Sequence, residues 1–590
     1  MEETASTSAS GLRVGPVLLY VAVALCVTSA LFTAYSIYGA AFYSHHGYSP
    51  LGLDVAQPVY SFEFFTNYLW LLSLFLPHTE AVLHINRIFW VIVATLSFAF
   101  FVWHVSNSVA ATFLCFVLFL NMPTLASSRL WSLSAGYNIA SSAGCICLAL
   151  ECVNLIRGTT FRRRFLAAFL YGVSVLIIEF FLFAPFLIAL FFVVYHGVKA
   201  EKRTAAFNWA RSVLAWYAVP LLVVSIRVFA MRKHFANEGP LGIVGHVISV
   251  PYLKSVIAQV TSNIGDRFFM FLIDNLVSYY TALFTSTLIY LGVFSVVVTL
   301  VFAGLIQYQS DRVSRELTAG PSALIKMGLL IVVLAAISNS FAIYTYSLGS
   351  LEDRINQASA IGAAMALTGL LIAMLARGGA SRFAGILCCV AILFSMTKIA
   401  TLEAHDWRRV RRWDAQLNRD YANYASSRPK VENDIVVVHG FPRFVSSFEF
   451  NPKFIWLSYF YPRYHGIPGA YYRLQTDEID RLRDSWKGRF ARHFDRGYRY
   501  WPLLIAPFHP TAEDLDAVHP VTLIHVDRDF GVECTPDAII LPSYQKEEIT
   551  PLAVKEMLFA EWREDQNTTF KRVSVRDCRS VASVVNVARD

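Results

Sequence analysis

The sequence predicts an α-helical integral membrane protein of about eleven transmembrane helices followed by a C-terminal extracytoplasmic α/β domain. Three observations predict it. Long apolar runs recur up to residue 403, charge is scarce over the same stretch, and the pattern turns polar and alternating from Ala404 onward. Hydrophobic residues make up 56% of the chain and charged residues 16%, with mean hydropathy +0.48. A soluble domain carries roughly 25% charged residues. The apolar runs are too many and too long for buried core helices, so lipid is their expected solvent.

The expected spans are 14–36, 87–106, 109–122, 138–156, 165–178, 181–197, 212–230, 283–306, 327–346, 358–376 and 383–402. The first is longer than the apolar core of a cleaved signal, so it reads as a retained helix. Glu179 and Pro185 interrupt the run from Phe165 to Val198, which therefore reads as a tight helical hairpin. The division is 1–403 for the multi-pass part, with a long outer loop at 37–86, and 404–590 for the soluble part.

Basic residues set the orientation. Arg157, Arg162, Arg163 and Arg164 fall in one loop, Lys199, Lys202, Arg203 and Arg211 in another, and Arg312, Arg315, Lys326, Arg377 and Arg382 in two more on the same side. The opposite short loops hold Arg129 and Arg354, and loop 37–86 is assigned no lysine or arginine. The bias predicts a cytoplasmic N-terminus and an outer C-terminal domain. The net charge of +8 is thereby accounted for without nucleic acid, which is not an expected partner. The bilayer is one.

Beyond Ala404, His405–Tyr424 reads as a polar helical stalk. Strands are expected at Asp434–Val438, Leu503–Ala506, Val521–Val526, Arg572–Val575 and Val581–Val587, and a helix over Asp477–Arg499. Seven cysteines lie in apolar segments, where they act as small apolar residues. Cys534 and Cys578 lie on the expected oxidising side and are candidates for a disulfide.

No Walker A, G-x-G-x-x-G, G-x-S-x-G or H-E-x-x-H pattern occurs, which disfavours an ATP-driven pump or a zincin protease. The informative segment is the first outer loop. Asp54 sits in the turn-rich stretch Ser49–Pro58, where a partly dehydrated carboxylate can accept a proton from a hydroxyl. The alternative is a solvated loop acid or helix cap. Glu63, flanked by Phe62 and Phe64, is the second candidate base; otherwise it is the polar edge of an interfacial helix. His45, His46, His78 and His84, with Asp54 and Glu80, could make a divalent-metal site, but their spacing matches no standard cage, and no cofactor is expected.

Arg354, in an outer loop with Glu352 and Asp353, can hold a lipid phosphate through a bidentate fork or pair with its neighbours. Glu179 and Arg227 lie near the outer ends of their spans, and a carboxylate there must face protein or a water-filled cavity. They are the candidate cavity-lining pair. The aromatic run Phe454–Tyr461 suits sugar stacking or packing against the membrane part.

This layout resembles the GT-C glycosyltransferases: an inner N-terminus, a long acidic loop after the first span, about eleven spans and an outer C-terminal domain. Among them it is most similar in style to protein mannosyltransferases and the aminoarabinose transferase of lipid A. The paired acids that many members carry in the first loop are replaced here by a lone Asp54. The resemblance implies a polyprenyl-phosphate-linked sugar as donor, an envelope glycan, lipid or protein as acceptor, and a place in a bacterial inner membrane. It also implies Asp54 as general base and Arg354 on the carrier phosphate. The rival expectations are a transporter or flippase of envelope glycolipids, a polymerase or ligase, and a membrane scaffold.

Overall fold

The computed structural model describes residues 8–38, 80–122, 125–130, 135–157, 159–177, 285–312, 321–341 and 357–426, short pieces between 181 and 261, and six strands between 435 and 525. Among the described residues the membrane part is a bundle of ten helices: α1 (Ser8–Ile37), α2 (Glu80–Ser106), α3 (Val109–Leu120), α4 (Ala126–Leu130), α5 (Ala135–Arg157), α6 (Phe161–Ile177), α7 (Thr285–Arg312), α8 (Pro321–Phe341), α9 (Gln357–Ala376) and α10 (Ala380–Ser426).

Seven of these are long and apolar enough to cross a bilayer: Pro16–Ile37, His84–Ser106, Ala135–Asn154, Thr287–Gln309, Pro321–Ser338, Gln357–Ala376 and Ala380–Thr401. The chain is a multi-pass membrane protein. Each of the seven falls on an expected span. The expected span at 109–122 becomes α3, whose 12 residues rise only about 18 Å, short of a hydrocarbon core of about 30 Å. The run at 165–178 becomes α6, with 17 residues. Most of 181–197 and 212–230 lies outside the described residues.

Helix α3 forms the centre of the bundle. It is apolar on every face, and Phe113, Leu114, Cys115, Val117, Leu118 and Leu120 are all buried. A helix without a polar stripe has no face for water. The α2–α3 link explains how so short a helix is held. Asn107 takes a left-handed conformation (φ 48°) and its N–H bonds the Trp103 carbonyl, ending α2. Ser108 then caps α3 by accepting from Ala111 N–H at 3.1 Å, and its hydroxyl donates to Gln309 of α7 at 2.8 Å.

Helices α8 and α9 make the closest approach. A Cβ on Gly328 would strike the backbone of Gly362 and Ala366, and one on Gly362 would strike Gly328 and Val332. In lipid, where apolar side chains gain little by leaving solvent, small residues that let backbones approach supply the packing. Elsewhere the bundle turns apolar side chains outward, among them Tyr20, Leu31, Phe89, Leu96, Ile289 and Leu300. In a bilayer these are the lipid-facing surface.

Helix α10 runs for 47 residues without a break, about 70 Å. The expected stalk is thus a direct continuation of the last span. Beyond it β1 (Ile435–Pro442), β4 (Ala470–Tyr472), β5 (Tyr500–Ala506) and β6 (Val521–His525) form one sheet in the order β4-β5-β1-β6. β5 pairs antiparallel with β1 and β4, and β6 pairs parallel with β1. A two-stranded pair, β2 (Phe444–Val445) and β3 (Phe448–Glu449), completes the set. β1, β5 and β6 fall at expected strand runs. The helix expected over Asp477–Arg499, the last two expected strands, and Cys534 and Cys578 lie outside the described residues.

Candidate functional site

Asp54, Glu63, Glu179, Arg227 and Arg354 all lie outside the described residues. The residues that flank the loops of Asp54 and Arg354 are described, and they form a hydrogen-bonded belt at one end of the bundle.

The belt is built on helix ends. The last carbonyls of α1 have no partner further along the helix and carry the negative end of its dipole. Two arginines take them. Arg87, buried in α2, donates from Nη2 to the Ile37 carbonyl at 2.6 Å and from Nη1 to the Leu130 carbonyl at 2.5 Å. Arg408, in the stalk part of α10, donates to the Ser36 carbonyl at 2.9 Å and lies over the Tyr35 ring, 5.4 Å from its centroid. His84 sits one turn before Arg87, with Nδ1 at 3.3 Å from Nη2, and its ring lies 5.6 Å from that of Tyr38. Both feet of the first long loop are therefore held together. Because α2 begins at Glu80, the long first loop is shorter than its expected 37–86, and His84 belongs to a helix.

A second set of bonds extends the belt. Asn138 of α5 donates to the Ser128 carbonyl at 3.0 Å, and Gln357, the first residue of α9, donates to Asn138 Oδ1 at 2.8 Å. Gln357 follows Arg354 by three positions in the chain. Arg129 is buried and donates to the Leu120 carbonyl at 2.9 Å. The sequence places it in a short outer loop; there the carbonyl at the C-terminal end of α3 draws it inward. Lys398, near the end of the last span, is also buried. This end of the bundle thus gathers four basic residues, Arg87, Arg129, Lys398 and Arg408, three of them turned onto the carbonyls of helix ends.

A separate polar cluster joins α5 and α6 where their link, Thr159–Thr160, leaves the bundle. Glu151 is fully buried and its Oε1 lies 3.5 Å from Arg164 Nε. Tyr217 donates to Glu151 Oε1 at 2.9 Å. With its proton so used, the Tyr217 oxygen accepts from Cys147 Sγ at 3.3 Å. Tyr171 meets Tyr217 edge to face, 4.7 Å between centroids. Arg164 also donates to Thr159 at 3.1 Å. Arg164 was expected in a basic loop with Arg162 and Arg163. It is buried, because helical spacing turns it away from their exposed side and onto Glu151.

Sequence reasoning missed Arg87, Asn138, Gln357 and Arg408 at the first site, and Glu151 and Tyr217 at the second. The available signal was an ionisable or amide side chain inside or at the edge of an apolar run. No protein-family model matches the chain, and no curated protein or solved structure matches it.

Proposed function

We propose that the chain is a GT-C-like membrane glycosyltransferase that moves a sugar from a polyprenyl-phosphate carrier to an envelope glycan, lipid or protein on the outer face of a bacterial inner membrane. In this reading eleven spans lead to an extracytoplasmic α/β domain over 404–590 that selects the acceptor. The observation that carries the proposal is the belt. It joins the feet of the loop bearing Asp54 to the helix start that follows Arg354, at an end where Arg87, Arg129 and Lys398 are buried.

The chemistry needs few groups. The acceptor oxygen attacks the anomeric carbon and its proton passes to Asp54, or to Glu63 if that is the base. The bond from the anomeric carbon to the phosphate oxygen breaks, and its electron pair leaves on the phosphate, whose charge Arg354 stabilises. The product is inverted at the anomeric carbon. Glu179 and Arg227 line the cavity, and no cofactor enters the reaction.

A second reading is transport of an envelope glycolipid. It is favoured by the Glu151–Arg164 pair, since ionisable groups buried within spans mark translocation pathways. Purified chain in nanodiscs, given polyprenyl-phosphate sugars and candidate acceptors, separates the two. Release of polyprenyl phosphate with a glycosylated acceptor supports transfer. Movement of intact donor across a liposome membrane, with no cleavage, supports transport and overturns the transferase.

A further inference from the structure

We propose that His439 and His525 form a two-histidine site for a divalent transition-metal ion at the carboxyl end of the parallel pair β1–β6. The inference rests on neither functional reading.

Register carries it. β1 and β6 run parallel through the pairs Ile435↔Val521, Val436↔Thr522, Val437↔Leu523, Val438↔Ile524 and His439↔His525. All but the last hold no ionisable side chain. The last, at the carboxyl end of the pair, joins two histidines. Residues in register on neighbouring strands share a face of the sheet, with the strands about 4.8 Å apart. Open sheets take ligands in the crevice beyond the carboxyl ends of their parallel strands.

The ladder on the other side of β1 breaks at the same place. β1 advances from Val438 to Phe441 while β5 moves only from Leu503 to Trp501, so β1 carries one extra residue in a bulge at His439–Gly440. Pro502 of β5 falls in the matching gap. It has no N–H to give to the ladder, which accounts for the break. At His439, then, β1 is paired with β6 and not with β5. Bulges of this kind are common beside functional sites.

Donor chemistry decides what the ligand is. β1, β4, β5 and β6 contain no Asp, Glu, Lys or Arg. The paired position therefore offers nitrogen donors without a carboxylate. Ca²⁺ and Mg²⁺ require oxygen ligands and do not suit it. An anion would need both imidazoles protonated, and two like charges one strand apart repel. Neutral imidazoles suit Zn²⁺, Cu²⁺ and Ni²⁺. The strand spacing allows two imidazoles to converge on one ion with metal–nitrogen bonds of about 2.0–2.1 Å. The pair fills two coordination positions and leaves the others for water or a further ligand.

Cu²⁺ titrated into the full chain in nanodiscs tests this, with electron spin-echo envelope modulation counting the imidazoles on the bound ion. The wild-type protein should give a two-imidazole signature, and Zn²⁺ added first should suppress it. His439→Gln and His525→Gln should each reduce the signature to one imidazole or none. If the wild-type protein shows no two-imidazole copper, the pair binds no metal and the proposal fails, whether or not the variants fold. A two-imidazole signal that survives in either monodisperse variant also overturns it, because other histidines would then hold the ion. His45 and His46 are adjacent in the chain and serve as the control. Changing both to Gln should leave the signal intact; its loss there would move the ion to those residues and overturn the proposal.

Discussion

Arg87 donates a hydrogen bond to the carbonyl of Ile37, 2.6 Å away and 50 positions earlier in the chain. One side chain thereby closes the first long loop at its base, and its second bond, to Leu130, fixes that base to α4. A guanidinium suits the position because its rigid fork meets two carbonyls that diverge from different helices.

Arg87→Met should therefore destabilise the bundle by about 2–4 kcal/mol, from two lost bonds to a charged donor. Arg87→Lys should recover less than half of this, since a single ammonium does not span both carbonyls. Unfolding of the purified protein in mixed detergent, followed by helicity, measures both. Wild-type stability in Arg87→Met would show that the loop base is held by other contacts.

The Glu151–Arg164 pair makes a prediction about additivity. Arg164→Leu leaves a buried carboxylate without its counter-charge and should cost about 3–5 kcal/mol, and Glu151→Leu a similar amount. The double variant should be more stable than either single one, because neither charge is then buried alone. A thermodynamic cycle over the four proteins reads the coupling. Simple additivity would mean that the two side chains do not sense one another.

Glycine positions separate packing from propensity. Gly328→Ala and Gly362→Ala each place a methyl group against backbone atoms across α8 and α9, and each should destabilise by about 1–3 kcal/mol. Gly292→Ala meets nothing within 4 Å and should be neutral or stabilise by up to about 1 kcal/mol, the ordinary gain of alanine over glycine in a helix. Thermal shift of the three variants tests the contrast. Equal effects at Gly292 and Gly328 would contradict the close α8–α9 approach.

The spans were legible because membrane helices must satisfy their backbone internally and present apolar side chains to lipid, a requirement local to each segment. Pro16–Ile37 and Thr287–Gln309 stand out on those grounds alone. The stalk was legible too, since α10 keeps helical character where its residues turn polar. What was not legible is pairing. Arg164 reads as a loop arginine beside Arg162 and Arg163 until the turn of α6 sets it on Glu151. Gln357 looks like a polar residue at the edge of an apolar run, yet its partner Asn138 lies 219 positions away. Basic residues counted for orientation carry no mark of whether they face water or a carbonyl, and Arg129 is the plainest example. For the candidate site, the sequence offered the loop acids Asp54 and Glu63 and the cation Arg354. The belt of Arg87, Asn138 and Gln357 depends on contacts between distant segments.

The most direct test of the transferase account is Asp54→Asn. The amide keeps the size of the carboxylate and loses its ability to take a proton. Transfer from a polyprenyl-phosphate sugar by the purified variant should fall by roughly 10²–10⁴-fold, the range expected for loss of a general base. Membrane insertion and donor binding should stay close to wild type. Glu63→Gln, measured alongside, should be milder. A dead Glu63→Gln beside an active Asp54→Asn would move the base to Glu63. Wild-type transfer in both variants would contradict the account, for no loop carboxylate would then be accepting the proton.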